Sequence, residues 1–401
     1  MYTSTEVACY GLIFMLNSIQ YGFILCFGGY PIEEFKRKYP NWDFNKEAKN
    51  ITYFNNFLSI FGSIGGFLIC LLVRLTDSKK SVFYFNIANC LIWLLYFFFT
   101  PKLFVFGIVL RSLQGVLMGG LASITPILMT DISPNDIVGM LGCLNQFGIL
   151  LGMIIFTIIG SHVKFNVLAI IGAIETLVSA GLIWIVPTDI IKKEKLKALF
   201  NRTNRKKLII GMLAMAFQQF CVNPYLDNLG DILADTGIYI DESMQSVLVS
   251  AAQLVSVLIA AFNMDGIGRR KMWAFSSCGI ILSQVLFIVC MSTKNDDFIW
   301  VLALCVFIYM LSFGHGLGPI PWFIAHDLFP KEIRLEGQSF IAFVNMLCSI
   351  GINVMYTDIK EKIKETYFMI IFMCITIWAI PFGLYFIPKK RVLNDEILTL
   401  I

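Results

Sequence analysis

Long apolar stretches alternate with short polar connectors from residue 7 to residue 387 of this chain. Each stretch is close to the 20 or so residues that a helix needs to cross the hydrocarbon core of a bilayer. The stretches are continuously apolar, unlike the alternating strands of a membrane barrel, and a helix satisfies its own backbone polar groups. We therefore predict twelve membrane-spanning helices, at residues 7–28, 53–73, 82–99, 103–129, 138–160, 166–186, 207–233, 246–264, 272–292, 298–326, 338–357 and 366–387.

Composition supports an all-α membrane protein. Hydrophobic residues make up 57% and charged residues 14% of the chain, against about 45–50% and about 25% in soluble domains. The first stretch follows Glu6 rather than basic residues and contains Asn17 and Gln20, so we interpret it as a retained helix and not as a cleaved signal.

The distribution of basic residues orients the chain. Of the 31 lysines and arginines, 19 fall in the connectors on the side of the termini, which places both termini in the cytosol. These connectors also account for the net charge of +4, so no nucleic-acid partner is indicated. The eleven cysteines include no CxxC pair, and we expect no structural disulfide.

One cytosolic motif occurs twice, 196 residues apart. The pattern Asp-x-x-Pro-x-x-x-Arg has its two copies at Asp131, Pro134 and Val138 and at Asp327, Pro330 and Arg334. The offset indicates two parallel halves, an arrangement in which transporters hold substrate between the halves near the middle of the membrane.

The longest polar connector after the first loop lies at the midpoint and defines the predicted boundary. We expect an N-terminal half at 1–187, a cytosolic linker at 188–206 and a C-terminal half at 207–401. The linker is either an amphipathic helix on the membrane surface or a solvated connection. The outward loop at 31–52 contains Asn50-Ile51-Thr52, a glycosylation acceptor sequence that lies very close to the next helix.

Five neutral amides lie inside otherwise apolar spans: Gln146, Gln218, Gln219, Gln253 and Asn345. Such groups are costly in lipid and face a cavity or a partner. An amide both donates and accepts, which suits a neutral ligand with many hydroxyl groups. Hydrogen bonding between helices is the alternative for each of them.

The tenth span is broken by glycine and proline just before Trp322. The sequence GHGLGPIPW at 314–322 predicts an interrupted helix that permits bending. The flat ring of Trp322 can then stack on a sugar face, although tryptophans also anchor helices at the membrane interface.

Together these motifs resemble the sugar porters of the major facilitator superfamily, and among them the facilitative hexose transporters. The resemblance rests on RSLQGVLMGGLASITPILMTDISP at 111–134, NQFGILLG at 145–152, QQFCVN at 218–223, DGIGRR at 265–270 and GPIPW at 318–322, in this order. It implies a sugar site, lined mostly by the C-terminal half, at Gln146, Gln218, Gln219, Asn223, Gln253, Phe313, Trp322 and Asn345. The seventh span is one residue shorter than the family pattern before Asn223.

The resemblance also places Arg111 among the gating or salt-bridge residues. In the family, an arginine of the fourth helix lies opposite a position in the first helix that is acidic in proton-coupled members and neutral in facilitators. Here that position is Ile24, and the first span has no carboxylate after Glu6. The resemblance therefore favours uniport over proton symport.

The resemblance further implies salt bridges that close the cytosolic side, at Asp131, Asp265, Arg269, Arg270, Asp327 and Arg334. The chain departs from the family at four places: Leu75, Val138, Gly314 and Ser349. Because Val138 replaces the arginine of the first copy, we expect a thinner network of salt bridges than is usual in the family.

The resulting hypothesis is a carrier that moves glucose or a related hexose passively through the plasma membrane. Its partners are the sugar and the lipid bilayer, and no cofactor, ATP or metal is implied; the three histidines, His162, His315 and His326, lack metal-ligand spacing. A proton-coupled symporter and a non-transporting sugar sensor on the same fold are the alternatives. No catalytic constellation suggests an enzyme.

Overall fold

The computed structural model describes residues 4–39, 42, 44–187, 196–226, 242–293, 299–360 and 365–389. Within these ranges eleven helical spans have the length and hydropathy to cross a bilayer. The helix Arg202–Leu226 brings the number of spans to twelve and is the seventh in chain order. We number the spans in chain order: TM1 Ser4–Phe27, TM2 Phe44–Leu75, TM3 Ser78–Leu95, TM4 Phe104–Asp131, TM5 Val138–Gly160, TM6 Phe165–Leu182, TM7 Arg202–Leu226, TM8 Glu242–Ile267, TM9 Arg269–Thr293, TM10 Ile299–His315 with Ile320–Leu328, TM11 Arg334–Lys360 and TM12 Glu365–Phe386.

The helices pack as two groups of six. TM1 packs on TM5, TM2 on TM4 and TM3 on TM6, while TM9 packs on TM10 and TM12, and TM7 on TM11. TM5 against TM8 and TM2 against TM11 join the two groups. The predicted all-helical membrane fold is confirmed. The exact boundary between the halves stays a prediction, since residues 188–195 of the linker lie outside the described ranges.

Glycines bring neighbouring helices close together inside the N-terminal half. A Cβ atom added at Gly119 of TM4 would lie 1.9 Å from the carbonyl oxygen of Gly62 in TM2. At Gly152 of TM5 it would lie 2.2 Å from the carbonyl oxygen of Ile19 in TM1. Backbone contact of this kind is a main source of helix association in lipid, where the hydrophobic effect is absent.

The outward segment after TM1 differs from the loop predicted at 31–52. Residues Gly29–Lys38 form a separate helix, and TM2 begins at Phe44. Ile32 and Phe35 of the short helix are buried, and the Phe35 ring lies 5.0 Å from that of Phe99. Its glycine and proline, Gly29 and Pro31, stand in the first turn of this helix, where proline is tolerated. Asn50 lies inside TM2.

The predicted interruption of TM10 is present. The first piece ends at His315, a turn covers residues 316–319, and the second piece begins at Ile320. A Cβ atom at Gly316 would lie 2.4 Å from the carbonyl oxygen of Met272 in TM9. The turn therefore packs directly on a neighbouring helix and leaves no room for a side chain at this position.

The cytosolic connectors are anchored to the bundle. In the described part of the linker, residues 196–200 form one 3₁₀ helix with Leu199 fully buried and Phe200 packed edge-on against Phe340 at 5.7 Å. Asp77 caps TM3 by accepting the backbone N–H of Lys80 at 2.8 Å. Burial raises the pKa of Asp77, but the hydrogen bonds and charge of Lys80 outweigh it, and the pKa falls below its ordinary value.

Candidate functional site

A central cavity of about 230 Å³ lies between the two groups of six helices. Its lining draws on TM1, TM2, TM4 and TM5 of the N-terminal half and on TM7, TM8, TM10 and TM11 of the C-terminal half. Seven of the eight residues predicted to contact sugar line it: Gln146, Gln218, Gln219, Gln253, Phe313, Trp322 and Asn345. The side chain of the eighth, Asn223, lies outside the described part of the structure.

Gln218 connects three helices around this cavity. Its amide nitrogen donates to the carbonyl oxygen of Gly318 in the TM10 turn, and its amide oxygen accepts from the amide nitrogen of Asn345 in TM11 at 3.1 Å. Hydrogen bonding between helices, the alternative considered for these amides, is therefore present at Gln218 and Asn345. Both residues also line the cavity. A ligand bound to Gln218 would therefore be linked to the TM10 turn through the hydrogen bond between Gln218 and Gly318.

Three other amides keep their hydrogen-bonding capacity for the cavity. Gln146 of TM5, Gln219 of TM7 and Gln253 of TM8 line it, and no side-chain hydrogen bond ties any of them to the described residues. They come from both halves. Each presents two donor hydrogens and an acceptor oxygen, which a small polar ligand between the halves can use together.

Aromatic rings form the apolar part of the cavity wall. Phe313 and Trp322 flank the TM10 turn and are almost fully buried. Tyr21 of TM1 meets Trp322 edge to face, with ring centroids 6.0 Å apart, so one aromatic contact spans the two halves at the cavity. A flat ring beside uncommitted amides is a common arrangement for binding a sugar ring.

Sequence reasoning missed Tyr21 and most of the remaining wall. The apolar members sit in mostly apolar spans, so little in the local sequence distinguishes a cavity side chain from a lipid-facing one. The small polar members are serines, and from sequence they cannot be told from serines that hydrogen-bond within their own helix. The missed lining residues are Tyr21, Leu25, Ser59, Met118, Ile149, Leu150, Met153, Val249, Ser250, Met346 and Ser349.

Arg111 is a buried cation with neutral surroundings. One guanidinium nitrogen donates to the backbone carbonyl oxygen of Ile24 at 2.8 Å and to the side-chain oxygen of Gln114 at 3.2 Å. The guanidinium also lies 5.6 Å from the ring centroid of Phe54. The structure thus brings Arg111 to the helix position that the resemblance indicated. No ion pair among the described residues includes it.

Ion pairs gather at the cytosolic end of the cavity. Arg334 of TM11 pairs with Asp131 of TM4, which joins the two halves, and both side chains are more than nine-tenths buried. Within the C-terminal half, Arg269 donates to Asp327 at 2.9 Å and to Asp265 at 3.1 Å. Five of the six residues predicted for the salt-bridge network are therefore members of these pairs.

Asp265 makes a second contact between the halves. Its two carboxylate oxygens accept the backbone N–H groups of Gly139 and Met140, each at 2.9 Å, at the first turn of TM5. The N-terminus of a helix attracts an anion because its N–H groups are unsatisfied and the helix dipole is positive there. This contact lies next to Val138, where the first copy of the motif lacks its arginine.

The sixth predicted residue, Arg270, behaves differently from the expected salt bridge. Its guanidinium donates to the backbone carbonyl oxygens of Ile387 and Tyr385 at the end of TM12, the latter at 3.5 Å. The cation is thus placed at the carbonyl end of a helix, where the dipole is negative. It links TM9 to TM12 and does not reach the N-terminal half.

One pair between the halves was not predicted. Arg74 at the end of TM2 donates to Glu336 in TM11 at 2.7 Å. Both residues lie just outside the predicted spans 53–73 and 338–357, where Arg74 fits the positive-inside rule and Glu336 an ordinary solvated charge, so the sequence carried no signal that they meet. With Asp131 and Asp265, this pair makes three ionic or charge-assisted contacts across the cytosolic ends of the halves.

Twelve spans in two packed groups, a cavity of uncommitted amides between them and a charged closure on one side define a secondary transporter of the major facilitator type. The family model described as "Sugar (and other) transporter" matches residues 10–188 and again 186–394. The chain belongs to this family of sugar porters, and the predicted resemblance is confirmed.

Individual relatives are distant. The facilitated trehalose transporter Tret1 of Bombyx mori is 25% identical over 201 residues, 49% of this chain and 40% of that protein. The sugar transport protein MST4 of Oryza sativa subsp. japonica is 27% identical over 217 residues, 52% and 42% of the two chains. The matched part of the chain thus spans about two fifths of the length of these curated relatives.

Solved structures show the same fold. The proton:xylose symporter XylE bound to 6-bromo-6-deoxy-D-glucose superposes with a TM-score of 0.80 at 16% identity, covering 97% of this chain and 98% of that one. An inward open conformation of XylE from E. coli gives 0.70 at 16% identity, with 98% and 99% covered. At this identity the likeness shows the architecture alone.

Proposed function

We propose that this protein carries glucose or a closely related hexose through the plasma membrane as a uniporter, by alternating access. The observation that carries the proposal is the set of uncommitted amides Gln146, Gln219 and Gln253, which face one cavity from both halves. Every hydroxyl group of a sugar both donates and accepts, and a site built to hydrogen-bond it rejects analogues that lack it. A neutral amide lining offers this without favouring ions.

The cavity volume favours one sugar ring. The cavity volume of about 230 Å³ lies below the usual range for ligand sites, roughly 300–1,000 Å³. The Tret1 relatives are named for trehalose, a disaccharide, which needs about twice the space of a hexose. We therefore propose a monosaccharide for this chain and expect trehalose to compete poorly.

The surroundings of Arg111 support uniport. A carrier that couples sugar to protons needs a group near the sugar path that binds a proton in one state and releases it in the other. At Arg111 the partners are a backbone carbonyl, the amide of Gln114 and the face of Phe54. None of these takes up or releases a proton near neutral pH.

Gln253→Ala in proteoliposomes tests the proposal. Gln253 has no structural hydrogen bond to lose, so a deficit reports on the ligand. Removal of one amide should cost about 1–2 kcal/mol of sugar binding, which lowers uptake of radiolabelled glucose at low concentration about tenfold. Gln284→Ala is the matched control, because Gln284 is a buried glutamine of TM9 that does not line the cavity.

Each outcome has a distinct meaning. Uptake that equilibrates, is lost in Gln253→Ala and is blocked by excess hexose supports the proposal. Accumulation above equilibrium under an inward proton gradient would instead establish a symporter. If neither hexoses nor trehalose enter wild-type proteoliposomes, the hexose proposal is wrong, and the sensor or a different solute takes its place.

A further inference from the structure

Glu175 is an acidic residue inside TM6 that the proposed transport path does not use. Both of its carboxyl oxygens are buried, and neither has a hydrogen-bond partner. No ion pair among the described residues includes it. An unpaired carboxylate at this depth is strongly unfavourable, and binding of a proton or a metal cation removes that cost. Intramembrane acids of this kind usually serve a function.

A network of neutral polar groups lies one turn of TM6 toward the cytosol. Asn86 of TM3 donates to the side-chain oxygen of Asn17 in TM1 at 2.9 Å and to the hydroxyl oxygen of Ser179 in TM6 at 3.3 Å. Ser179 in turn donates to Asn17 at 2.9 Å. Glu175 and Ser179 are four residues apart, so their side chains lie on neighbouring positions of the same helix surface.

The next turn outward contains unpaired amides. TM1 and TM3 run parallel with an offset of 69 residues, which Asn17 and Asn86 define. The same offset places Gln20 level with Asn89. Both side chains are fully buried, and all four of their amide atoms lack a partner, as does the side-chain oxygen of Asn86.

TM6 runs antiparallel to TM3, and its contacts place Glu175 at this level. Ser179 meets Asn86, and a Cβ atom at Gly172 would lie 2.5 Å from the ring of Trp93. The midpoint of these two contacts puts residues 175 and 176 opposite residues 89 and 90. Buried polar atoms in proteins are nearly always paired or hydrated, so an acid and several unpaired amides at one level indicate a site for protons and water.

Other titratable groups near TM6 leave Glu175 without a fixed counter-charge. TM3 contributes Cys90 at its level, and on TM1 Tyr21 faces Trp322 and the cavity. Glu34 of the short helix accepts the backbone N–H of Phe165 at the outer end of TM6. Lys164 and His162 stand in the TM5–TM6 turn, with Lys164 about 16 Å from Glu175 along the helix axis.

We propose that Glu175, together with Gln20, Asn86 and Asn89, forms a proton-binding site inside the N-terminal half, and that transport requires its protonated form. The inference rests on the proposed transport function. None of these four residues lines the central cavity, so the proton and the sugar would bind at separate places. The proton therefore gates the carrier and does not drive accumulation of sugar.

The sign of the pH effect follows from the cost of the buried charge. Raising the pH ionises Glu175, and the unpaired carboxylate then destabilises the packing of TM1, TM3 and TM6. Equilibrative uptake, measured with equal pH on both sides, should fall at least fivefold on the alkaline side. Glu175→Gln keeps the shape of the protonated acid without its titration, so its uptake should stay at the acid-side level across the same range.

Infrared difference spectroscopy tests proton binding without sugar. The wild type in lipid should show a carboxylic-acid carbonyl band that disappears at high pH in step with the loss of uptake, and Glu175→Gln should lack it. Glu33→Gln, which removes an exposed carboxyl of the short outer helix, should keep both the band and the pH profile. Because this readout needs no transport, a protein that shows the band but takes up no hexose would contradict only the proposed function.

Two results would overturn the site. The first is a wild-type spectrum with no band that depends on Glu175, together with an unchanged pH profile in Glu175→Gln. The second is uptake that follows sodium concentration at fixed pH and is lost in Glu175→Gln, which would make the site a cation site. If Glu175→Gln fails to fold, Glu175→Asp keeps the acid on a shorter side chain: a moved pH midpoint supports the proposal and an unmoved one contradicts it.

Discussion

The two copies of the cytosolic motif share their aspartate and proline, but the two aspartates pair with different partners. In the first copy, Asp131 reaches across to Arg334 of the other half. In the second copy, Asp327 stays within its own half and pairs with Arg269. The cause is the residue seven positions after each aspartate: Arg334 in the second copy and Val138 in the first.

The missing arginine changes how one junction is made. Near Val138, Asp265 contacts the N-terminal half through the backbone N–H groups of Gly139 and Met140, while its side-chain cation, Arg269, comes from its own half. Of the two junctions that involve the motif, one is thus a buried ion pair and the other is a carboxylate at a helix N-terminus, and the pair Arg74–Glu336 is a third contact. The ion pair is held by two full charges, whereas the contact at the helix terminus is held by partial charges. The two junctions should therefore differ in strength.

The largest effect should follow from Arg334→Ala. Removing one member of a buried ion pair leaves Asp131 uncompensated and costs about 3–5 kcal/mol, so the halves should separate at the cytosolic side. A reporter cysteine in the cavity, Ser349→Cys, should then react at least tenfold faster with a reagent added from the cytosolic side.

Arg205→Ala, which removes an exposed arginine at the start of TM7, is the control and should leave the labelling rate unchanged. The exchange Asp131→Arg with Arg334→Asp should restore part of the protection. Equal labelling of Arg334→Ala and wild type would show that the other two junctions, at Asp265 and at Arg74–Glu336, hold the side closed without this ion pair.

How far the sequence predicts such features depends on what each residue's surroundings reveal. Gln146 and Gln253 were found because an amide in an apolar run is expensive wherever it points. Met118 and Met153 were not, since an apolar side chain is equally at home against lipid, core or cavity. The family resemblance named Asp131 and Arg334 as salt-bridge residues without pairing them, whereas the backbone groups that hold Asp265 have no side-chain signature. Helix Gly29–Lys38 was missed because most of it, EEFKRK at 33–38, is polar and lies outside the apolar spans.

Val138→Arg should sharpen the comparison by restoring the first copy. The new cation would lie next to Asp265 and strengthen the junction that now relies on backbone groups. Its own desolvation offsets much of the gain, so we expect a net effect of about 1 kcal/mol. Release of sugar to the cytosolic side should slow roughly fivefold, measured as efflux from preloaded proteoliposomes.

Val138→Met separates charge from size at this buried position. If the methionine variant slows efflux as much as the arginine variant, bulk at the start of TM5 is responsible and the charge argument fails. Faster efflux in Val138→Arg alone would mean that the arginine displaces Asp265 from the N–H groups of Gly139 and Met140.

The smallest effect is expected for Glu336→Gln. Glu336 lies only two residues after Arg334 on TM11, yet its partner Arg74 keeps 32% of its side chain exposed. Water and salt screen such a pair, whose contribution is about 0–1 kcal/mol. Labelling of the Ser349→Cys reporter should therefore rise less than fivefold in Glu336→Gln, and the difference from wild type should vanish in high salt. An increase as large as that of Arg334→Ala, and independent of salt, would contradict this ranking. It would show that the closure depends on Arg74–Glu336 as much as on the buried pair Asp131–Arg334.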